Sequence, residues 1–332
     1  MTDTTRDQPT SGRLPETVAI IGAGTIGSGW SALFAAYGAR VLLYDTDDSS
    51  LSRAKAQLGC ARALGVGNAA EGSGSIERAG NLADAVRESE WIQESLPENI
   101  SVKREMLAKT AESAPASAII ASSTSTFRLS DLAPDVYLAS RLLIAHPLHP
   151  VYAVPVVELA GVAGSSHDTI QRAQSMLRAL GREPIIVNGD VPGLVSNRLT
   201  AALLREALDL VARGVVSDAD IDRLVARGVA LGWTAVGPLA TEAIGSGEGT
   251  FAAFLHHMEK PLSDLWQTLA AWKGLETEQR IALTRALSQV RHDSRAQAVP
   301  MDSTTAECEW PGAIMRIRAA AEAELPTRSA RP

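Results

Sequence analysis

Apolar residues near the start of the chain follow a strand, helix, strand pattern. The β-branched run at 17–21 (TVAII) predicts a buried strand, and the apolar spacing over 28–37 (SGWSALFAAY) predicts a helix that ends at Gly38. The run at 39–44 (ARVLLY) predicts a second strand, which Asp45 closes. Elements in this order favour a βαβ unit with parallel strands and a right-handed crossover.

Strand-like runs recur over the first 190 residues, with helical segments between several of them. We predict a helix over 48–64 and a loop rich in glycine, serine and alanine over 65–80. Further strands are predicted at 91–95, 118–121, 142–145, 156–159 and 183–187. The alternation is typical of an α/β fold in which helices cover both faces of a mainly parallel sheet.

Beyond residue 193 the apolar pattern changes to helical spacing. Apolar side chains recur every four positions at Leu199, Leu203, Ala207 and Val211. No clear strand pattern follows as far as residue 321. We therefore predict a flexible tail over residues 1–15, a Rossmann-type sheet domain over 16–191 and an all-helical domain over 192–325.

Composition and charge exclude several classes of partner. The chain has 332 residues, enough for two domains, and a formal net charge of −7, which disfavours nucleic acid and anionic membrane surfaces. No apolar run reaches the length of a membrane span, and residues 1–15 contain no apolar signal core. A cytoplasmic protein is expected.

The cysteines and histidines give no sign of a metal site or a disulfide. Cys60 and Cys308 are far apart in the sequence and belong to no C-x-x-C or Cys/His cluster, so a disulfide is not expected and a reducing compartment fits. His256 and His257 have no other evident ligand and are interpreted as a solvated helix face, so no metal is expected.

The turn after the first predicted strand matches G-x-G-x-x-G. The matching residues are Gly22, Ala23, Gly24, Thr25, Ile26 and Gly27. Placed between a strand and a helix, the match predicts a dinucleotide site: Gly22 permits the tight turn, Gly24 lets the pyrophosphate approach, and Gly27 lets the helix pack on the strand. A purely structural glycine turn is the alternative.

Asp45 predicts which dinucleotide is bound. Its carboxylate lies where it would accept hydrogen bonds from the adenosine ribose hydroxyls and would repel a 2′-phosphate. No arginine follows Asp45 closely in the sequence. NAD is therefore predicted as the cofactor, in preference to NADP.

Further motifs follow the glycine turn in a fixed order. They are PENISVK at 97–103, STS at 123–125, AHP at 145–147, VEL at 157–159 and PGLVSNRL at 192–199. Together with the glycine turn and Asp45, they resemble the L-3-hydroxyacyl-CoA dehydrogenase superfamily over about residues 17–238. The resemblance implies NAD-dependent oxidation of a secondary alcohol, or reduction of the ketone, by a homodimer that the helical domain forms.

The resemblance assigns the acid–base work to His146 and Glu158. The chemistry supports this assignment, because removing an alcohol proton needs a base with a pKa near neutral, which is the range of histidine. A carboxylate on the other ring nitrogen would fix the tautomer and stabilise the imidazolium. A histidine that merely satisfies a loop is the alternative.

The resemblance also implies roles for four other polar residues. Ser125 and Asn197 match the residues that hold the reacting oxygen, a role that their hydrogen-bonding groups suit. Glu98 and Lys103 match positions near the nicotinamide ribose. Taken alone, Asn197 could instead be a plain helix cap.

Several features depart from the enzymes that use acyl-CoA. The segment at 146–150 reads HPLHP, where those enzymes usually have His, two apolar residues and Asn-Pro, and the loop at 65–80 has no lysine for the CoA phosphates. The layout of GVALGW (228–233) and GPLATE (237–242) looks more like the branch of lambda-crystallin (L-gulonate 3-dehydrogenase) and L-carnitine dehydrogenase. This likeness implies a small 3-hydroxy carboxylic acid as substrate.

Three other interpretations stay open at this point. The chain could be a 3-hydroxyacyl-CoA dehydrogenase with the same fold and catalytic residues. It could be a non-catalytic NAD-binding structural protein, although the intact set of candidate catalytic residues argues against this. A β-hydroxyacid dehydrogenase with a catalytic lysine is disfavoured, because no lysine lies in the helix that starts the second predicted domain.

Overall fold

A single mainly parallel sheet organises the first part of the chain. The structure is a computed structural model that describes residues 13–67, 74–133, 136–161, 167–287 and 306–324. The strands are β1 Thr17–Ile21, β2 Arg40–Tyr44, β3 Ser75–Arg78, β4 Trp91–Glu94, β5 Ile119–Ser122, β6 Leu142–Pro147, β7 Val156–Ala160 and β8 Glu183–Ile186. Their order in the sheet is β3-β2-β1-β4-β5-β6-β7-β8, and only β6 and β7 pair antiparallel. The predicted Rossmann-type fold is confirmed.

Helices lie between most of the strands and form most of the described chain after β8. The first seven are α1 Thr25–Ala36, α2 Ser50–Ala63, α3 Leu82–Val86, α4 Ile100–Ser113, α5 Leu129–Leu132, α6 Val136–Arg141 and α7 His167–Ala179. After β8 come α8 Ser196–Ala212, α9 Asp218–Leu224, a π-helical turn Val225–Val229, α10 Ala230–Val236, α11 Pro238–Gly245, α12 Phe251–Trp266, α13 Thr277–Ala286 and α14 Ala306–Glu324. The described residues after β8 contain no strand, as predicted.

The core lies on both faces of the sheet. Successive residues of a strand point to opposite faces, so β1 sends Val18 and Ile20 to one core and Ala19 and Ile21 to the other. The first core is covered by α1 and the second by α4, and all four of these side chains are fully buried. Burial on both faces is why the parallel strands read as continuous apolar runs.

The interpretation of residues 65–80 as a loop was wrong in part. Residues 75–78 form β3, which pairs in parallel with β2 at the edge of the sheet, while residues 68–73 lie outside the described residues. Only Ile76 of this strand is buried. One apolar residue among polar neighbours gives no period-2 pattern, so the sequence could not reveal the strand.

The chain divides into two compact units. One contains the described residues up to Arg198 together with 306–315, and the other contains 199–287 and 316–324. The first turns of α14 therefore belong with the sheet. The domain limits at 16–191 and 192–325 stay a prediction.

A disulfide joins Cys60 in α2 to Cys308 in α14, contrary to expectation. The two Cα atoms are 5.2 Å apart, although 248 residues separate the cysteines in the sequence. The chain brings α14 back to α2, an approach that sequence spacing does not show. The cysteines therefore no longer argue for a reducing compartment.

No single helix among the described residues has the length and apolar character to cross a membrane. One bent pair, Asp218–Val236 with Pro238–Gly245, meets that test by length and composition only.

Candidate active site

The glycine turn leaves an open cradle at the start of α1. Gly22 has φ +87°, and a Cβ there would lie 2.9 Å from the Ser95 carbonyl oxygen. A Cβ on Gly27 would lie 1.9 Å from the Gly22 carbonyl oxygen, so the helix packs directly on the turn. By contrast, a Cβ on Gly24 would meet nothing within 4 Å. The space beside Gly24, at the amino end of a helix, fits a pyrophosphate.

Asp45 is fixed beside this turn at the carboxyl end of β2. Its Oδ2 accepts a hydrogen bond from the Ala23 amide at 2.6 Å, and its Oδ1 accepts one from the Asp47 amide at 2.7 Å. The structure thus places Asp45 next to the glycine turn, as the fingerprint predicts.

Two arginines also reach the region of Asp45, although neither follows it closely in the sequence. Arg53 on α2 donates through Nε to the Ala23 carbonyl oxygen at 2.9 Å. Arg78 at the end of β3 donates through Nη2 to the Asp45 carbonyl oxygen at 3.3 Å. They come from the following helix and the neighbouring strand, which sequence distance conceals.

His146 and Glu158 form a buried pair across β6 and β7. The antiparallel register places them directly opposite each other, so their side chains project from the same face of the sheet. His146 Nδ1 lies 3.0 Å from Glu158 Oε2, and the two residues are only 7% and 3% exposed. No described residue hydrogen-bonds the other ring nitrogen, Nε2. That atom can therefore serve a reacting group.

Glu158 accepts several hydrogen bonds besides the one with His146. Its Oε1 accepts from the Val195 and Ser196 amides, each at 2.9 Å, and its Oε2 accepts from the Ser196 hydroxyl. Burial opposes ionisation, but the hydrogen bonds from Ser196, His146 and Val195 outweigh it and hold the pKa of Glu158 below its ordinary value. The carboxylate is therefore charged at neutral pH.

An unusual turn before α8 orients the amides that donate to Glu158. Gly193 has φ +79° and Leu194 has φ +53°, a left-handed conformation that costs a non-glycine residue about 1–2 kcal/mol. Leu194 is 2% exposed, so its side chain is held in the core. Sequence reasoning missed Leu194 and Ser196; the only signal was their place inside the PGLVSNRL motif.

Asn197 and Ser125 meet, as the resemblance implies for residues of one site. The Asn197 side-chain amide donates to the Ser125 carbonyl oxygen at 2.8 Å, which ties the start of α8 to the loop after β5. Ser125 borders the same pocket as His146. Contact of either residue with a reacting oxygen stays a prediction.

Glu98 shapes the loop that carries Ser125. Its Oε1 accepts from the Thr124 hydroxyl at 2.6 Å, from the Thr126 amide at 2.9 Å and from the Ser125 amide at 3.1 Å. Burial acts to raise the pKa of Glu98, but hydrogen bonds from Thr124 and Thr126 and the charge of Lys103 hold it below its usual range. Glu98 is thus a charged residue at the pocket.

Lys103 lies beneath Glu98 in a buried ion pair. The lysine is 1% exposed, and its Nζ donates to Glu94 Oε1 at 2.9 Å and to the Leu96 carbonyl oxygen at 3.1 Å. The same Nζ lies 3.4 Å from Glu98 Oε2. Sequence reasoning missed Glu94, which reads as part of an ordinary strand. The predicted contacts of Glu98 and Lys103 with a ribose stay a prediction.

Three of these side chains, Glu98, Ser125 and His146, line one pocket of about 260 Å³. It is lined by Ile26, Ser95, Leu96, Glu98, Ser123, Ser125, His146 and Pro147. The predicted cofactor-binding residue Ile26 and the predicted base His146 therefore face the same space, while Thr25 starts α1 beside it. Among the described residues, no group of three or more His, Cys, Asp or Glu side chains is placed to hold a metal ion.

Two domain families match this chain. Residues 17–191 match the NAD binding domain of 3-hydroxyacyl-CoA dehydrogenase, and residues 193–282 match the C-terminal domain of the same enzyme. Together they span most of the chain.

Individual relatives and a solved structure agree with these matches. An L-carnitine dehydrogenase of Streptomyces griseus is 35% identical over 273 residues, 80% of this chain and 82% of that protein. A 3-hydroxyacyl-CoA dehydrogenase of Gibberella moniliformis is 36% identical over 247 residues, 74% of this chain and 76% of that protein. The crystal structure of an NAD⁺-dependent 5-formyl-3-hydroxy-2-methylpyridine 4-carboxylic acid 5-dehydrogenase superposes with a TM-score of 0.77 and 26% identity, covering 92% of this chain and 98% of that one.

The fold, the glycine cradle and the matching families define an NAD-dependent dehydrogenase that acts on CH–OH groups. Its cofactor is NAD. The chain belongs to the 3-hydroxyacyl-CoA dehydrogenase family.

Proposed function

We propose that this dehydrogenase oxidises the 3-hydroxyl of a small 3-hydroxy carboxylic acid, carnitine-like or gulonate-like, to the 3-keto acid. The buried His146–Glu158 pair beside the pocket carries the proposal, because it supplies a base oriented for an alcohol proton. Several relatives named L-carnitine dehydrogenase, 30–36% identical to this chain, support the choice of substrate class.

His146 performs the proton transfer in this proposal. Glu158 keeps the proton of the neutral ring on Nδ1, so Nε2 has the lone pair that accepts the proton of the substrate hydroxyl. The imidazolium that forms is stabilised by the charged carboxylate at 3.0 Å. The glycine turn and Asp45 would hold NAD, which would supply the acceptor for the hydride that leaves the hydroxyl-bearing carbon.

Ser125 and Asn197 hold the reacting oxygen. The link from Asn197 to the Ser125 carbonyl oxygen keeps the two residues together, and Glu98 fixes the Ser125 amide from the other side. A hydroxyl and an amide held in this way need little rearrangement as negative charge develops on the oxygen.

The acyl-CoA thioester is the competing substrate. The Gibberella moniliformis relative named 3-hydroxyacyl-CoA dehydrogenase favours it, and the catalytic residues would be the same. The two candidates differ in whether the carboxyl group is free or joined to CoA, so a substrate panel separates them directly.

The test follows NADH formation by absorbance with purified protein and NAD. The panel contains L-carnitine, L-gulonate, other 3-hydroxy acids and 3-hydroxybutyryl-CoA. We expect turnover of a free acid and a loss of about 10²–10⁴-fold in His146→Ala. His256→Ala, a change on the exposed face of α12, serves as the matched control and should keep full activity. Turnover of the CoA thioester alone would contradict the proposal.

The working form in this proposal is a homodimer. Within the helical part of the chain, α8 exposes Leu199 (64%), Leu203 and Leu204 to solvent, an apolar surface suited to a second copy. Light scattering at micromolar concentration should give twice the mass of one chain for the wild type. The double variant Leu199→Glu with Leu204→Glu should give the mass of a single chain. A wild-type monomer under these conditions would contradict the homodimer.

A further inference from the structure

Two ion pairs stand beside the carboxylate that selects NAD. Arg53 Nη2 lies 2.9 Å from Asp47 Oδ2, and Arg78 pairs with Asp48 through Nη1. Both arginines also donate to backbone oxygens: Arg53 to that of Ala23, after β1, and Arg78 to that of Asp45, after β2. Two guanidinium groups therefore lie next to the position of the adenosine ribose.

Arginines in this place would ordinarily favour NADP. A guanidinium near the ribose accommodates a 2′-phosphate, because its fork of N–H donors matches phosphate oxygens. In this chain each guanidinium is already bound to a carboxylate. The three aspartates at 45, 47 and 48 also outnumber the two arginines, which leaves the local charge negative.

We propose that Asp47 and Asp48 are specificity-determining residues that keep the enzyme selective for NAD by occupying Arg53 and Arg78. Asp45 alone does not account for the selectivity, because without the two ion pairs the arginines would be placed to bind a 2′-phosphate. Loss of these aspartates then converts the same surface from excluding the phosphate to accepting it.

Asp47 contributes more than Asp48. The Asp47 carboxylate is held by the Ser49 amide at 2.9 Å and by the Ser49 hydroxyl, so it meets Arg53 in a fixed position. Hydrogen bonds from Arg53 and Ser49 lower the pKa of Asp47 to about 2, so it stays charged at neutral pH. Asp48 has a side chain that is 92% exposed, and water screens its pair with Arg78.

The test measures the dissociation constants of NADH and NADPH by fluorescence titration, without any substrate. Asp45→Asn keeps an oxygen acceptor for the Ala23 amide and should improve NADPH binding by only about threefold, because one repulsive charge is lost. Asp47→Asn and Asp48→Asn, added to it, should bring the total gain to about tenfold or more. Arg53→Gln and Arg78→Gln, added last, should return NADPH binding to the level of Asp45→Asn.

The matched control removes two aspartates from other exposed ion pairs. Asp220→Asn with Asp264→Asn breaks the pairs with Arg223 and Lys260, and it should leave both dissociation constants unchanged. NADH binding by each variant reports that the site is still folded.

Two results would overturn the proposal. In one, adding Asp47→Asn and Asp48→Asn to Asp45→Asn improves NADPH binding by no more than a further twofold. In the other, the improved NADPH binding of the triple aspartate variant persists after Arg53→Gln and Arg78→Gln are added. If the triple aspartate variant does not fold, Asp45→Asn with Asp47→Asn alone decides the question, since it should show most of the gain.

Discussion

Replacing Glu158 with glutamine changes one atom of the catalytic pair and leaves its shape the same. In the wild-type protein all the groups around this carboxylate are donors: the amides of Val195 and Ser196, the Ser196 hydroxyl and the His146 ring. A glutamine offers one acceptor oxygen and one NH₂ donor group where the glutamate has two acceptor oxygens. Half of the surrounding donors therefore lose their acceptor.

The backbone decides which way the glutamine turns. The amides of Val195 and Ser196 cannot rotate, so the glutamine oxygen must face them, and its NH₂ group faces His146 Nδ1. Nδ1 must then be the unprotonated nitrogen, which places the ring proton on Nε2, the atom that has to accept the substrate proton. The same tautomer fault in a serine protease triad costs about 10⁴-fold, and we expect about 10³-fold here, or roughly 4 kcal/mol in the barrier.

The measurement compares kcat with cofactor binding. We expect kcat for Glu158→Gln to fall by about this factor, whichever substrate the wild-type enzyme oxidises, while the NADH dissociation constant stays within twofold. Glu105→Gln is the control, because Glu105 forms an exposed pair with Lys109 on α4. Unfolding by urea should show a loss of only about 1–2 kcal/mol, since the Ser196 hydroxyl can rotate to a new partner.

A kcat within tenfold of wild type would refute the tautomer argument. A parallel loss of NADH affinity would refute it as well, because the change would then act on the site as a whole. Either result would mean that Glu158 holds the turn before α8 in place rather than the proton on His146.

Four smaller predictions concern the cradle, the disulfide and pH. Gly24→Ala should keep its melting temperature and weaken NADH binding at least tenfold, because the new Cβ enters open space at φ −63°. Gly27→Ala should lower the free energy of unfolding by about 2–3 kcal/mol, because its Cβ would lie 1.9 Å from a carbonyl oxygen. Cys60→Ser should lower it by about 2–4 kcal/mol, measured by urea unfolding without reductant. Folding lowers the pKa of Glu158, so its stabilisation is complete above the ordinary value of 4.5 and is lost as the pH falls below that value through the lowered pKa. Glu158→Gln should therefore lose less stability in acid than the wild type.

Each of these predictions has an outcome that contradicts it. Unchanged NADH binding in Gly24→Ala would mean that the pyrophosphate lies elsewhere, and an unchanged melting temperature in Gly27→Ala would mean that α1 does not pack on the turn. Wild-type stability of Cys60→Ser, or two free thiols by mass spectrometry of the unreduced protein, would argue against the disulfide. If the wild type and Glu158→Gln lose the same stability in acid, Glu158 does not contribute to that loss.

The sequence predicts those parts of the fold and site that local patterns encode. The runs at 17–21 and 39–44 are apolar because both faces of the sheet are buried, so they read directly as strands. The glycine turn is visible because close approaches at Gly22 and Gly27 exclude any side chain. Such constraints act within a few residues, and a single sequence is enough to show them.

Contacts between distant segments left no such pattern. Cys308 meets Cys60 only because the chain returns α14 to α2. Arg53 and Arg78 reach the backbone around Asp45 from a helix and a neighbouring strand, and each is an ordinary surface arginine in the sequence. These features depend on how the elements pack, which neither composition nor spacing determines.

The placement of His146 opposite Glu158 has a consequence for how this family can diversify. The pair is aligned by the hydrogen-bonded register of β6 and β7, and not by the segment 148–155 that joins the two strands. The segment is itself fixed to the core, because Val151, Tyr152 and Ala153 are buried. The acid–base chemistry therefore depends on strand pairing, and residues that line the pocket outside the pair, such as Leu96 and Ser123, can change with the substrate while the chemistry is inherited unchanged.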